Sequence, residues 1–209
     1  MICATNLSYQ YPRAEKLLEF PDIELGETEN LLIQGPSGVG KTTLLHLLAG
    51  LLTPHSGEIT IAGCQIHELS NQKLDRFRGQ QLGIVLQKND AIHSLSVWQH
   101  LEARLLFSKT STTFMAMQSL LSELGLTAYK NRKPSQLSQG QLQRLGIALA
   151  VVHKPRVILA DEPTASLDDV NCQKVMKLLL RQSKKLKANL LVISHDQRIQ
   201  SSFQKIISL

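Results

Sequence analysis

Short apolar runs rich in β-branched residues alternate with longer helical stretches, and a glycine-rich turn joins one such run directly to a helix. These observations predict an α/β fold built on a mostly parallel sheet. At 209 residues the chain has room for one or two domains. Its core can be large enough to need neither a disulfide nor a metal.

In chain order, Glu29–Gln34 (ENLLIQ) reads as a strand, Gly35–Gly40 as the glycine-rich turn and Lys41–Leu52 as a helix. Gly57–Ile61 (GEITI) and Leu82–Leu86 (LGIVL) read as strands. Val157–Ala160 (VILA) and Leu190–Ser194 (LLVIS) are short apolar runs typical of buried parallel strands. Between Gln87 and Pro155 strand signals vanish, and helices are expected over Val97–Phe107, Phe114–Leu124 and Ser138–His153. Leu142, Leu145, Leu149 and Val152 form an apolar stripe at helical spacing in the last of these. Pro134 and Pro155 punctuate it. The expected organisation is one domain, with residues 1–87 and 156–209 as an α/β core and 88–155 as an inserted helical subdomain, hinged near Gln87 and Pro155.

Composition narrows the function classes. Hydrophobic residues make up 43% and charged residues 19%, which excludes a disordered chain. The longest apolar stretch, Leu44–Leu52, falls far short of the roughly 20 residues of a membrane-spanning helix. The opening MICATNLSYQYPRAEK has no basic start followed by an apolar core, so no signal peptide is expected and the chain is expected in the cytoplasm. Cys3, Cys64 and Cys172 are scattered, which fits a reducing compartment and no metal site. The net charge of +6 suits nucleic acid, an anionic membrane face or a phosphate substrate, and equally suits ordinary solubility.

The chemistry begins with Gly35-Pro36-Ser37-Gly38-Val39-Gly40-Lys41-Thr42, which fills every position of G-x-x-x-x-G-K-[ST] between a predicted strand and a predicted helix. Chance supplies this pattern in about one chain in a hundred of this size. Glycines let successive N–H groups turn inward around an anion, and the helix N-terminus adds partial positive charge. Lys41 carries a full charge to β- and γ-phosphates, and the Thr42 hydroxyl faces Mg²⁺. After the apolar run at Val157, Asp161 and Glu162 supply a metal-holding carboxylate and a general base for water. Alone, that pair reads as readily as a helix cap. Beside a complete phosphate loop, two carboxylates at a strand's C-terminal end lie where α/β proteins bind ligands.

Leu137-Ser138-Gln139-Gly140-Gln141, standing between the phosphate loop and Asp161-Glu162, resembles the signature motif of ATP-binding cassette (ABC) ATPases. The resemblance extends in order over nearly the whole chain. Gln87 is similar to the Q-loop glutamine, Ser166-Leu167-Asp168 to the D-loop, His195 to the H-loop histidine and Tyr11 to the aromatic that stacks on adenine. Tyr9 competes with Tyr11, whose place relative to Gly35 fits the family better.

The resemblance implies a P-loop NTPase (RecA-like) core with an N-terminal antiparallel β part, binding ATP and Mg²⁺. Tyr11, Gly35–Thr42 and Thr43 would bind ATP; Thr42, Gln87 and Asp161 would hold Mg²⁺; Lys41, Gln87, Glu162 and His195 would be catalytic. The signature and Asp168 would face ATP bound in a second cassette, either another copy or another subunit. The family also implies a separate transmembrane permease-like partner, docked on the helical subdomain, with Lys88–Val97 the candidate contact. That puts the chain on the inner face of the cell membrane, with no nucleic acid expected. Within the family, Ala160–Asp168 and the compact length look similar to the lipoprotein-releasing and macrolide-exporter ATPase group. A DNA-handling or other soluble ABC ATPase is the alternative, but such cassettes usually carry coiled-coil or zinc-bearing insertions, and no heptad run or Cys-x-x-Cys occurs here. Two departures stand out. Gln139 occupies a position the family usually gives to Gly, which could restrict the local backbone, and Leu149 stands where Arg is common.

Overall fold

The computed structural model describes residues 1–12, 15–87, 91–165 and 167–209. Ser166 of the D-loop-like segment and the first three residues of the Lys88–Val97 stretch therefore lie outside the described residues. The chain opens with β1 (Ile2–Gln10), β2 (Leu17–Glu19) and β3 (Ile23–Leu25), and β4 (Asn30–Gln34) leads into α1 (Lys41–Leu48). Next come β5 (Ser56–Ile61), β6 (Cys64–Gln65), α2 (Asn71–Gln81) and β7 (Leu82–Val85). Three helices follow, α3 (Val97–Ser108), α4 (Phe114–Glu123) and α5 (Gln139–Val151). β8 (Val157–Asp161), α6 (Asp169–Leu186), β9 (Asn189–Ile193) and β10 (Lys205–Ser208) complete the chain.

Two sheets result. One is parallel throughout, in the order β10-β4-β9-β8-β7. The other is antiparallel, in the order β2-β1-β5-β6, with β3 also paired to β1. Every residue of β8 and β9 is buried, as expected of strands covered on both faces. Alternation divides their side chains between two cores. Leu159, Leu191 and Ile193 join Leu31 and Ile33 of β4 against α1 and the antiparallel sheet. Ile158, Ala160, Leu190 and Val192 join Leu32 against α5, α6 and the helices between β7 and β8.

The expected strands appear within one or two residues of their predicted ends. Helix α1 is shorter than Lys41–Leu52: it stops at Leu48, and Gly50 lies in the left-handed region (φ 62°). The apolar Leu51 and Leu52 extend the sequence pattern past a break that glycine makes easy. Helices α2 and α6 and strand β10 were not predicted.

Among the described residues between 91 and 155 no strand occurs. Side chains cap each helix start: Ser96 accepts from Gln99 N–H, Thr113 from Ala116 N–H and Ser138 from Gln141 N–H. Each such cap contributes about 1 kcal/mol. Arg104 of α3 ties this helical part to the sheet. It donates to the Gly79 carbonyl (3.1 Å), to the Leu82 carbonyl (3.2 Å) and to His153 Nε2 (2.9 Å). His153 Nε2 also lies 3.0 Å from the Leu82 carbonyl, and its Nδ1 is buried without a partner among the described residues. Burial, then the nearby Arg104 charge, pushes the His153 pKa down to about 4.

The native state thus takes up the His153 proton at lower pH than the unfolded chain, whose histidine titrates near 6.5. Stability is expected to fall as pH drops from about 6.5 to about 4, by on the order of 3 kcal/mol from this residue. Urea unfolding of wild type and His153→Gln across that range checks this: the decline should be clearly shallower in the variant, and equal slopes would refute it.

Candidate active site at the sheet edge

Three strands deliver the candidate residues to one edge of the parallel sheet. The register aligns Ile33 with Ile193 and Ile193 with Asp161. The glycine-rich loop after β4, the Asp161–Glu162 step after β8 and Ser194–His195 after β9 therefore leave the sheet at one level. Two backbone bonds stitch the exits together, Glu162 N–H to the Ile193 carbonyl (2.8 Å) and Ser194 N–H to the Ile33 carbonyl (3.0 Å).

The loop Gly35–Gly40 turns through two glycines at positive φ, Gly38 (83°) and Gly40 (110°), which a side chain would oppose. Pro36, Ser37 and Gly38 are exposed at its tip, while Gly35, Val39 and Gly40 are half-buried. Lys41 is buried, and its ammonium donates to the Gly35 carbonyl (2.7 Å) and the Pro36 carbonyl (2.8 Å). Beside it Thr43 Oγ1 lies 2.8 Å from the Tyr11 hydroxyl. Tyr11 is 44% exposed, and the Tyr9 ring, half-buried against the core, braces it edge-on at 4.8 Å.

Thr42 Oγ1 donates to Asp161 Oδ2 (3.0 Å). Asp161 is buried, and its other oxygen, Oδ1, has no partner among the described residues. Burial raises the Asp161 pKa above its ordinary value, while the Thr42 bond opposes that shift. A hydroxyl beside an unsatisfied buried carboxylate oxygen is a hard-oxygen donor set that fits Mg²⁺. No group of three or more His, Cys, Asp or Glu residues forms a metal cluster among the described residues.

Glu162 sits at φ 45°, a conformation that costs a non-glycine residue roughly 1–2 kcal/mol. Its carboxylate is held from both sides: Ser194 Oγ donates to Oε2 (2.8 Å), while His195 N–H donates to Oε1 (3.2 Å) and His195 Nδ1 stands 2.7 Å from the same oxygen. The Glu162 side chain is 9% exposed and that of His195 55%. A carboxylate is thus fixed at the edge with an imidazole beside it, an arrangement able to orient water and accept its proton.

The structure brings together the loop, Thr42, Thr43, Asp161, Glu162, His195 and Tyr11. It does not bring Gln87, Leu137–Gln141 or Asp168 into hydrogen bonds with them among the described residues. Gln87 is exposed just beyond β7. Ser138 is the N-cap of α5: its N–H donates to Gln141 Oε1 (2.8 Å) and its Oγ accepts from Gln141 N–H (3.4 Å). Gln139 is exposed in the first turn and has no left-handed φ, so its backbone conformation does not itself call for glycine. Leu149 packs half-buried against the core. Asp168 caps α6, accepting from Asn171 N–H (2.9 Å) and Asn171 Nδ2 (2.6 Å); the Asn171 N–H bond leads in holding its pKa below the ordinary carboxylate value.

Sequence reasoning missed Ser194, Thr164, Asp196 and Arg198, which surround Glu162 and His195. An Asp-x-Arg step directly after His195 was the available signal.

Known proteins resemble this chain in sequence and in fold. A sequence model of the family described as "ABC transporter" matches residues 18–165. The lipoprotein-releasing system ATP-binding protein LolD of Legionella pneumophila (strain Lens) is 35% identical over 196 residues, 93% of this chain and 86% of that protein. The LolD of Syntrophotalea carbinolica is 32% identical, covering 100% of this chain and 94% of that protein. The ATP-binding cassette MJ0796, solved as a dimer in a post-hydrolysis state with ADP and Pi, superposes with a TM-score of 0.89 at 30% identity, over 100% of this chain and 94% of that one. The cbiO1 protein of Clostridium perfringens, part of the ABC transporter complex cbiONQ, superposes with a TM-score of 0.81 at 28% identity, over 93% and 78%.

Burying a half-satisfied carboxylate destabilises the free protein. Because the native Asp161 pKa is raised, this cost appears as pH rises past the unfolded carboxylate value and is fully present at pH 7. Asp161→Asn is therefore expected to stabilise the nucleotide-free protein by about 1 kcal/mol at pH 7, with the gain shrinking toward pH 4. Thermal unfolding at both pH values checks it; a variant less stable than wild type at pH 7 would contradict it.

Proposed function

The chain belongs to the ABC transporter family, and from that premise we propose that it drives a separate membrane-embedded partner in lipoprotein release or a closely similar export task. As a family member it is an ATP-binding and ATP-hydrolysing cassette. The observation that carries the mechanistic reading is the grip of Ser194 and His195 on Glu162, beside the Thr42–Asp161 pair, at the mouth of the glycine-rich loop.

In this reading the loop N–H groups and Lys41 take the β- and γ-phosphates, and Lys41 exchanges its two loop carbonyls for phosphate oxygens on binding. Thr42 and Asp161, with Gln87 at the end of β7, would hold Mg²⁺, and the metal would supply positive charge to the nucleotide phosphates. Tyr11 stacks on adenine, steadied by Tyr9 and Thr43; stacking of this kind is worth ~1–3 kcal/mol. Glu162 accepts the proton of the attacking water, and His195 holds Glu162 and the water in line.

Two cassettes sandwich two nucleotides, so that Ser138, Gly140 and the N–H groups at the start of α5 meet the γ-phosphate held by the other cassette, with Asp168 at the shared face. The helix start supplies the partial positive charge such a site needs. The dimeric form of MJ0796 supports this arrangement.

Residues 88–155 form the moving part within a single domain. No helix among the described residues is long and apolar enough to cross a membrane. In this reading the membrane work belongs to a separate chain. On the helical part, Leu106, Phe107, Phe114 and Met115 are largely exposed. Together with the described end of the Lys88–Val97 stretch, they suit an apolar cytoplasmic helix of that partner. The cassette then lies on the inner face of the membrane.

Glu162→Gln tests this reading. Turnover should fall at least about 100-fold while ATP binding persists, and Mg-ATP should leave a stable dimer in size-exclusion chromatography. Tagged protein from the native host should carry a multi-spanning membrane protein with it. Undiminished turnover, or recovery of soluble partners only, would contradict the proposal.

A further inference from the structure

Two loops must hold still relative to each other for Glu162 and His195 to work together; the backbone bond from Glu162 N–H to the Ile193 carbonyl joins them only where they leave the sheet. The chain leaving Glu162 is bridged by two long bonds, Ala165 N–H to the Glu162 carbonyl (3.3 Å) and Leu167 N–H to the Thr164 carbonyl (3.1 Å). Farther from the sheet, Arg198 spans the two loops. Its Nε donates to Asp196 Oδ1 (2.9 Å) and its Nη2 to Asp196 Oδ2 (2.8 Å), a two-pronged grip on one carboxylate. The remaining nitrogen, Nη1, reaches across to the Leu167 carbonyl (3.2 Å) and to Asp169 Oδ1 (2.6 Å).

Asp196 is equally engaged. Its Oδ2 also accepts from Thr164 Oγ1 (2.8 Å) and faces the buried Cys172 thiol at 3.6 Å. Arg198, first among several donors, holds the Asp196 carboxyl far below the usual carboxylate range. The connection continues to the reacting groups: Asp196 N–H donates to Ser194 Oγ (3.1 Å), the same hydroxyl that donates to Glu162 Oε2. Isolated surface ion pairs contribute little. This one is a planar fork on an Asp196 side chain only 8% exposed, with further bonds to two other points of the chain, and such charge-assisted forks add geometric definition as well as energy.

We propose that Arg198 is a positioning residue: it locks the loop carrying His195 to the loop that runs from Glu162 into α6, so that the two move as one unit during turnover. This rests on the roles proposed above for Glu162 and His195. Lys could replace the charge, but a single ammonium cannot grip Asp196 in two places and also reach Leu167 and Asp169.

The test uses the purified full-length chain carrying Arg198→Met, Arg198→Lys or Glu162→Gln, with Arg181→Met on the exposed face of α6 as a control. Arg198→Met should lower kcat by about tenfold with KM and ATP affinity held within about twofold, and shift Tm by no more than about 3 °C. Arg198→Lys should recover less than about half of the lost rate. In the Glu162→Gln background, adding Arg198→Met should change the residual rate less than about twofold, because the effect runs through Glu162. An unchanged kcat in Arg198→Met, a parallel loss of kcat, ATP affinity and Tm, or full recovery with Lys would each overturn the proposal. If Glu162→Gln itself keeps wild-type turnover, the catalytic reading beneath the proposal fails; a silent Arg198→Met beside an inactive Glu162→Gln overturns the Arg198 assignment alone.

Discussion

In-register parallel pairing of β4 with β9, and of β9 with β8, sets Ile33, Ile193 and Asp161 side by side, and the chemistry of the chain hangs on that alignment. A shift by one residue would turn each strand's buried side chains toward the opposite face. Leu31, Ile33, Leu159, Leu191 and Ile193 could then no longer meet α1 and the antiparallel sheet. The same apolar alternation that fills the two cores therefore fixes the level at which the glycine-rich loop, Glu162 and His195 leave the sheet. Core packing thus sets where the three loops leave the sheet, and the side-chain bonds beyond that edge act on loops already brought to one level.

The edge holds groups that the free protein would be more stable without. Glu162 adopts a left-handed backbone, and Asp161 keeps a buried oxygen with no partner among the described residues. Lys41 is buried against two carbonyls of its own loop. Strain and unsatisfied polarity of this kind concentrate where a ligand will meet them. The surrounding core offsets their cost: β8 and β9 are buried along their whole length, which leaves the strand ends little freedom to relax.

Much of this was legible in the sequence where pattern and chemistry coincide. The glycine-rich loop carries its own strand–turn–helix context, and VILA followed by Asp161-Glu162 gives a buried strand with its functional end. What stayed hidden has physical reasons. β2 and β3 are three residues each, too short for alternation to register. α2 (NQKLDRFRGQQ) buries none of its residues, so it shows no apolar stripe. Helix α1 was read too long because Leu51 and Leu52 continue its apolar content beyond Gly50. Arg198 was invisible because its meaning lies in contacts with Leu167 and Asp169, some thirty residues away in the chain. Family likeness indicated Tyr11 over Tyr9, and the bond to Thr43 places Tyr11 beside the loop.

The central claim is that the edge works as a unit in which His195 acts on hydrolysis and not on binding. Single-turnover hydrolysis by His195→Ala, with ATP affinity measured on the same samples, tests it most directly. The account predicts affinity within about threefold of wild type and a chemical step slowed by about 100-fold or more. A wild-type chemical step in His195→Ala, or a loss confined to ATP affinity, would contradict it.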